Sequence, residues 1–264
     1  MTRAMEAVET KETTRVALIT GATSGFGRAI ARRFVRDGYR VLATGRREER
    51  LRELAAELGD ALLTYRLDVT DAQAVAALPG SLPDGWRELD ILVNNAGLAL
   101  GLEPAHQASL DHWDQMIATN ITGLAHVTRA ILPGMVTRNR GLILNLGSVA
   151  GSYPYPGGHV YGASKAFVKQ FSLDLRADLV GTGVRVTDLE PGLVGGTEFS
   201  RVRFGGDEAK ARAVYEGTTP LTEDDIAEAA SWVAGLPPHV NINRLEMMPT
   251  CQASGPFAIK RAAR

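Results

Sequence analysis

The chain has 264 residues and a formal net charge of -1, with 45% hydrophobic and 22% charged residues, proportions that suit one sizeable folded domain. Nothing in that balance supplies a broad positive field for nucleic acid or a membrane surface, and no run of eighteen or more apolar residues marks a membrane span. The one cysteine, Cys251, excludes an intrachain disulfide and a thiolate metal cluster, so no metal is expected and a reducing, cytoplasmic setting is.

Residues 1–13 lack an apolar stretch and read as a polar extension rather than a signal peptide. Val16 to Thr20 has strand character and is followed by GATSGFG, then by a helix in which Phe26, Ile30 and Phe34 recur every four residues. Gly38 ends that helix, and Tyr39 to Thr44 supplies the next strand. Strand, glycine-rich turn, helix and strand in this order predict a parallel sheet with a pyrophosphate at the helix N-terminus. Gly21, Gly25 and Gly27 are spaced G-x-x-x-G-x-G, and no Gly-Lys-Ser/Thr follows, so the turn is not a P-loop.

The second strand leads into Arg46 and Arg47, where an acidic residue would accept from a free ribose 2'-hydroxyl. Two guanidinium groups suit a 2'-phosphate instead, which predicts NADP rather than NAD. Arg47 has a second reading, as the start of the charged helix RREERLRELAAEL. Leu62 to Leu67 is a strand candidate ending at Asp68 and Val69; Asp68 either accepts from an adenine amino group or caps a helix from about Asp71 to Leu78. Asp90 to Val93 is the next strand, followed by Asn94, Asn95, Ala96 and Gly97. Small residues there let the chain pass close to a cofactor, while the asparagines are equally able to tie strands together.

A long helical pattern runs from Leu110 to Ile131, with Asn120 inside it. A polar amide among apolar neighbours needs a partner, so Asn120 is either a satisfied core residue or the holder of a water near Lys165. Leu142 to Leu146 is of strand length and precedes Ser148. Helix is expected from about Val160 to Leu179, which places Tyr161 and Lys165 on one face. A lysine beside a phenol favours the phenolate, and Ser148 is placed to hydrogen-bond the same substrate oxygen. The Pro-, Tyr- and Gly-rich stretch Tyr153 to Gly158 reads as a loop against the substrate.

Val184 to Leu189 is a further strand, ending in Glu190, Pro191 and Gly192. Residues 194–218 read as a substrate lid or as a solvated insert. Glu223 to Leu236 is helical, and Val240 to Met248 holds the last strand candidate. About seven strands alternate with six helices. The predicted fold is α/β: a single doubly wound Rossmann domain over residues 14–250, with a mostly parallel seven-stranded sheet, helices on both faces and a tail over 251–264.

The motifs TGATSGFG at 20–27, NNAG at 94–97, Asn120, Ser148, YGASK at 161–165 and PG at 191–192 resemble those of the classical short-chain dehydrogenases/reductases. That resemblance implies Tyr161 as general acid/base, Lys165 on the nicotinamide ribose, Ser148 on the substrate oxygen and Asn120 on a relay water. It implies NADP contacts from Gly21, Thr23, Ser24, Gly25, Phe26, Gly27, Arg46, Arg47, Asp68, Val69, Asn94, Ala96 and Gly97. Tyr161, Lys165, Pro191, Gly192, Val194 and Thr197 complete that set. The stretches TGRREERL, NNAGLALGLEPAH, EPGLVGGTEFS and HVNINRLEMMP are similar to bacterial NADP-dependent 3-hydroxy acid dehydrogenases, a group that implies a cytoplasmic homotetramer acting on 3-hydroxypropionate, L-serine or L-allo-threonine. Reduction of another small carbonyl such as sulfoacetaldehyde, or non-catalytic NADP-dependent regulation, are the competing functions. An acidic substrate needs a counter-charge, for which Arg203 and His159 are the candidates, with Arg201, Arg261 and Arg264 behind them.

Overall fold

A computed structural model describes residues 15–254. The expectations for 1–13 and for Arg261 and Arg264 lie outside the described residues.

Seven strands form one sheet: β1 (Val16–Ile19), β2 (Arg40–Gly45), β3 (Leu62–Arg66), β4 (Leu89–Asn94), β5 (Gly141–Leu146), β6 (Val184–Pro191) and β7 (Arg244–Met247). Their order is β3-β2-β1-β4-β5-β6-β7, and every pairing is parallel, so the sheet is wholly rather than mostly parallel. The chain reverses its direction of travel between β1 and β4, and the carboxyl ends on either side of that point open a crevice.

Helices α1 (Gly25–Arg36), α2 (Glu48–Leu58), α3 (Ala72–Ser81), α4 (Leu110–Ile117), α5 (Leu124–Thr137), α6 (His159–Asp178), α7 (Phe199–Arg203), α8 (Glu208–Ala213) and α9 (Glu223–Gly235) are the α-helices among the described residues. Alternation along the strands splits the core in two. Ala17, Ile19, Val41 and Val93 pack with Ile30 and Phe34 of α1 and Ile226 and Val233 of α9. Leu18, Leu42, Leu92 and Ile143 pack on the other face with Val127 and Ile131 of α5 and Leu175 of α6. Because both faces are covered, the strands read as continuous apolar runs. Full burial of a side chain such as Phe34 stabilises the fold by about 1.5–3 kcal/mol.

Two local differences from expectation have physical causes. The helix after β3 runs on through Pro79 to Ser81, and Asp71 rather than Asp68 caps it, accepting from Gln73 N and Ala74 N. The long helix continues to Thr137, and its middle, Ala118–Gly123, is a π-helical turn centred on Asn120. Such a turn inserts one residue and re-aims a side chain, often at a functional site. Residues 194–218, a lid or solvated insert from the sequence, hold the two short helices α7 and α8.

Candidate active site

The glycine turn after β1 opens directly into α1, whose N-cap, Ser24, makes no side-chain capping bond. The first amides of the helix are therefore free of side-chain acceptors and suit an anion. A Cβ on Gly27 would lie 2.5 Å from Asn95 Nδ2 and Gly21 O, so this glycine serves close packing of helix and turn. Asn95 ties the turn to β4, donating to Thr20 O at 2.8 Å and Gly21 O at 3.1 Å.

A cavity of about 360 Å³ lies along the carboxyl ends of the strands. Gly21, Thr23, Ser24, Gly25 and Phe26 form one end, Arg46, Arg47, Asp68 and Val69 a second side, and Ala96, Gly97, Tyr161, Lys165 and Thr197 the remainder. Arg46 is well exposed and 3.9 Å from Asp68. Arg47 donates to Thr23 Oγ1 at 3.0 Å, to Ser24 Oγ at 2.6 Å and to Glu198 at 2.8 Å, although it also forms the N-cap of α2. Asp68 accepts from Thr70 N at 3.0 Å and Thr70 Oγ1 at 2.8 Å. Burial works against its charge, but these bonds with Arg46 and Arg66 nearby hold the carboxyl below its ordinary value. An elongated slot with open helix amides at one end and two guanidinium groups beside it fits a dinucleotide carrying an extra phosphate.

Five residues expected to contact the cofactor, Gly27, Asn94, Pro191, Gly192 and Val194, do not line this slot. Asn94 is buried and its side chain is used inside the sheet, donating to Asn145 Oδ1 at 2.8 Å and Thr128 Oγ1 at 2.9 Å. Its neighbour Asn95 lines the cavity instead. Gly27 packs against Asn95 and Gly21 and is not among the residues lining the cavity. Pro191, Gly192 and Val194 border an adjoining cleft rather than this slot.

That cleft, about 970 Å³, holds Ser148, Tyr155, Tyr161, Phe199 and Arg203. Ser148 follows β5 and caps the short turn after it, its Oγ accepting from Ala150 N at 3.1 Å. Tyr161 lies in the first turn of α6, buried, with the ring of Phe199 from α7 5.7 Å away. Arg203 donates to Tyr155 Oη at 2.8 Å and to Gly101 O at 3.2 Å, and its guanidinium lies 5.6 Å from the Tyr161 ring centre. Arg201 instead pairs with Glu198 at 3.3 Å, outside the cleft.

His159, expected beside the substrate, does not line the cleft that holds Ser148 and Tyr161. Its Nδ1 accepts from Val160 N at 3.0 Å, which leaves Nε2–H to donate to Glu103 O at 3.1 Å, and the ring meets Trp113 in a tilted contact, centroids 5.1 Å apart. Both ring nitrogens are used, so the residue pins the start of α6.

Lys165 Nζ donates to Leu146 O at 2.6 Å and lies 5.9 Å from the Tyr161 ring centre. Asn120 donates to Leu98 O at 2.8 Å and Ser164 Oγ at 3.0 Å and accepts from Leu98 N at 2.9 Å. A Cβ on Gly97 would stand 3.3 Å from Asn120 Oδ1 and 3.7 Å from Lys165 Nζ, so asparagine and lysine meet at this glycine.

The expected lowering of the phenol by Lys165 is not what this geometry gives. Burial pushes the Tyr161 phenol up to about 12; bonding to Ser148 and the charge of Arg203 pull it back only in part, and Tyr155 adds to the rise. Burial also pushes Lys165 down to about 8, against the pull of Asp188. The lysine's charge is directed at a carbonyl, and removal from water disfavours both charged forms. Tyr155, Phe199 and Glu198 are not candidates in the sequence reading, whereas Asn95 takes the tying role open to either asparagine. Tyr155 lies in the Pro-, Tyr- and Gly-rich loop, and Glu198 and Phe199 lie in EPGLVGGTEFS at the start of the expected lid, but nothing in those stretches tells which side chains face the cleft.

A parallel αβα sandwich with this slot and cleft on one rim defines a dinucleotide-dependent oxidoreductase, and the chain belongs to the short chain dehydrogenase family, which it matches over residues 15–205. It is 62% identical over 247 residues to the NADP-dependent 3-hydroxy acid dehydrogenase YdfG of Salmonella typhi, covering 94% of this chain and 100% of that protein. It is 54% identical over 244 residues to the serine 3-dehydrogenase of Agrobacterium fabrum, covering 92% and 97%. The closed form of a serine dehydrogenase complexed with NADP+ superimposes with a TM-score of 0.92 at 60% identity, covering 94% of this chain and 100% of that one. No helix among the described residues is long and apolar enough to cross a membrane, and none of their His, Cys, Asp and Glu side chains group to hold a metal.

Proposed function

We propose that the protein transfers a hydride between NADP(H) and a small 3-hydroxy acid or hydroxy amino acid, with L-serine, L-allo-threonine and 3-hydroxypropionate as the substrates to test. The observation that carries the substrate class is Arg203, a cation held over the Tyr161 phenol in the larger cleft. Its guanidinium accounts for a carboxylate on the same small molecule whose hydroxyl meets Tyr161 and Ser148. The names of the similar dehydrogenases support the same reading.

In this proposal Gly21, Thr23, Ser24, Gly25, Phe26, Arg46, Arg47, Asp68, Val69, Asn95, Ala96, Gly97 and Thr197 bind the dinucleotide. When bound, the nicotinamide accepts or supplies the hydride. Tyr161 takes the proton of the substrate hydroxyl during oxidation and returns it to the carbonyl oxygen during reduction. Ser148 orients that oxygen, Lys165 holds the ribose side of the slot, and Asn120 fixes the loop from Gly97 to Leu98 beside them. Residues 194–218 act as the lid, excluding water from the phenol with Phe199. A cytoplasmic homotetramer belongs to the same proposal.

Two results follow for measurement. A protonated phenol at neutral pH suits the acid role, so kcat/KM for reduction should hold near neutrality, while that for oxidation should climb by up to about tenfold per pH unit on the alkaline side until the phenol or Lys165 titrates. Initial rates in both directions across pH check this; an oxidation rate that falls with rising pH contradicts it. Replacing both Arg46 and Arg47 with Ala should weaken NADPH binding about 10–100-fold and NADH binding little, by fluorescence titration. Steady-state rates on short hydroxy acids and aldehydes with NADP and NAD test the function itself; turnover confined to neutral or sulfonated carbonyls would displace the 3-hydroxy acid.

A further inference from the structure

Behind the lysine lies a carboxyl group to which the reaction above gives no role. Register places Asn94 beside Asn145, Asn145 beside Asp188, and Asp188 beside Arg244, a polar row across β4 to β7. Asn145 accepts from Asn94 at 2.8 Å and donates to Ser172 at 2.8 Å. Arg244 gives both of its close bonds to Glu190, at 2.7 and 2.6 Å. Asp188 is fully buried, and neither of its oxygens finds a donor among the described residues. Its carboxyl sits against Gly147, where a Cβ would stand 2.9 Å from Asp188 Cγ and 3.0 Å from Oδ2. The residue before that glycine, Leu146, supplies the carbonyl that holds Lys165 Nζ.

The charged groups around Asp188 are Lys165 and Lys169 on α6, Arg244 and Glu246 on β7, and Glu190 on its own strand, with Tyr153 bonded to Glu246 from the preceding loop. Burial opposes the charge of Glu190, but the fork from Arg244 outweighs it and holds this carboxyl below its ordinary value. Two neighbouring carboxyl groups attract only through a shared proton. Burial first, and then the adjacent Glu190, push Asp188 well above the ordinary carboxylate range.

We propose that Asp188 is a positioning residue for Lys165: a neutral acid that donates its O–H to Glu190 near neutrality and, as pH rises, loses that proton to bulk water, leaving an anion that keeps the Lys165 ammonium charged. No bond to carbon and no electron takes part. Arg244 makes this possible by fixing the charge on Glu190. The consequence for catalysis rests on the function proposed above; the protonation state of Asp188 does not.

The test compares wild type with Asp188→Asn. In cofactor-free protein, a carboxyl raised in the folded state contributes stability that is fully present below its unfolded value and is lost as pH rises through its folded value. The wild type should therefore lose stability relative to the variant from about pH 4 upward, its unfolding constant rising by up to about tenfold per pH unit more steeply. Parallel stability curves would overturn the proposal. In carbonyl reduction with NADPH, the alkaline limb of kcat should move down by about one pH unit in the variant, with kcat near neutrality retained within about tenfold. A purely structural role would lower kcat at every pH and leave the limb in place, which counts against the proposal. Should Asp188→Asn fail to fold, infrared spectra of the wild type decide the matter: a protonated carboxyl band that persists at about pH 7 and fades toward alkaline pH supports the assignment, and its absence at about pH 7 refutes it. A wild type inactive on every carbonyl would sink the proposed function while leaving the stability and infrared results to judge Asp188.

Discussion

Tyr161→Phe is expected to lower turnover about 10²–10⁴-fold, the usual contribution of a positioned general acid/base, while NADPH affinity stays within a few-fold of wild type. The asymmetry follows from where the hydroxyl points. The ring of Tyr161 packs among Ala99, Met116 and Phe199, and phenylalanine fills that space equally well. Only the oxygen is lost, and with it the proton exchange proposed for it beside Ser148. Stopped-flow hydride transfer and fluorescence titration of the same preparation separate the two effects. A variant with normal turnover would remove Tyr161 from the chemistry.

Arg203→Ala should raise KM for acidic substrates about 10–100-fold, matching the loss of hydrogen bonds to a charged group, with kcat less affected. A neutral carbonyl of similar size should show little change. The guanidinium is pre-set by Tyr155 Oη and the carbonyl of Gly101, so little ordering is needed when a carboxylate arrives. Arg203→Lys should recover only part of the loss, because an ammonium lacks the fork that meets two carboxylate oxygens. An equal rise in KM for neutral and acidic substrates would show that the variant disturbs the lid rather than an ion pair.

Most of the fold was legible because each strand is buried on both faces and each covering helix carries one apolar stripe. Val16–Ile19 and Leu142–Leu146 are apolar runs too short for helices, and Phe26, Ile30 and Phe34 repeat at helical spacing. The site residues that chain order places at carboxyl ends of strands, from Gly21 to Phe26 and from Ser148 to Lys165, were legible for the same reason. What escaped was the direction of individual polar side chains. Asn94 and Asn95 are indistinguishable in sequence, yet strand alternation sends the first into the sheet and the second toward the slot. His159 has the chemistry of a substrate ligand, but a backbone amide one residue on and the Glu103 carbonyl occupy its ring. The spacing of Tyr161 and Lys165 predicts their common face but not the balance between charge and burial, because the depth of the site depends on α7 folding over it.

The central claim is that one phenol and one serine hydroxyl hold the reacting oxygen of a small acid whose carboxylate is met by Arg203. A crystal structure of the protein with NADP+ and a slow 3-hydroxy acid tests it most directly. The account predicts the substrate hydroxyl at hydrogen-bond distance, about 2.6–3.2 Å, from both Tyr161 Oη and Ser148 Oγ, with the carboxylate on the Arg203 guanidinium. A substrate bound with its hydroxyl remote from Tyr161, in crystals that turn over when supplied with a faster substrate, would contradict it.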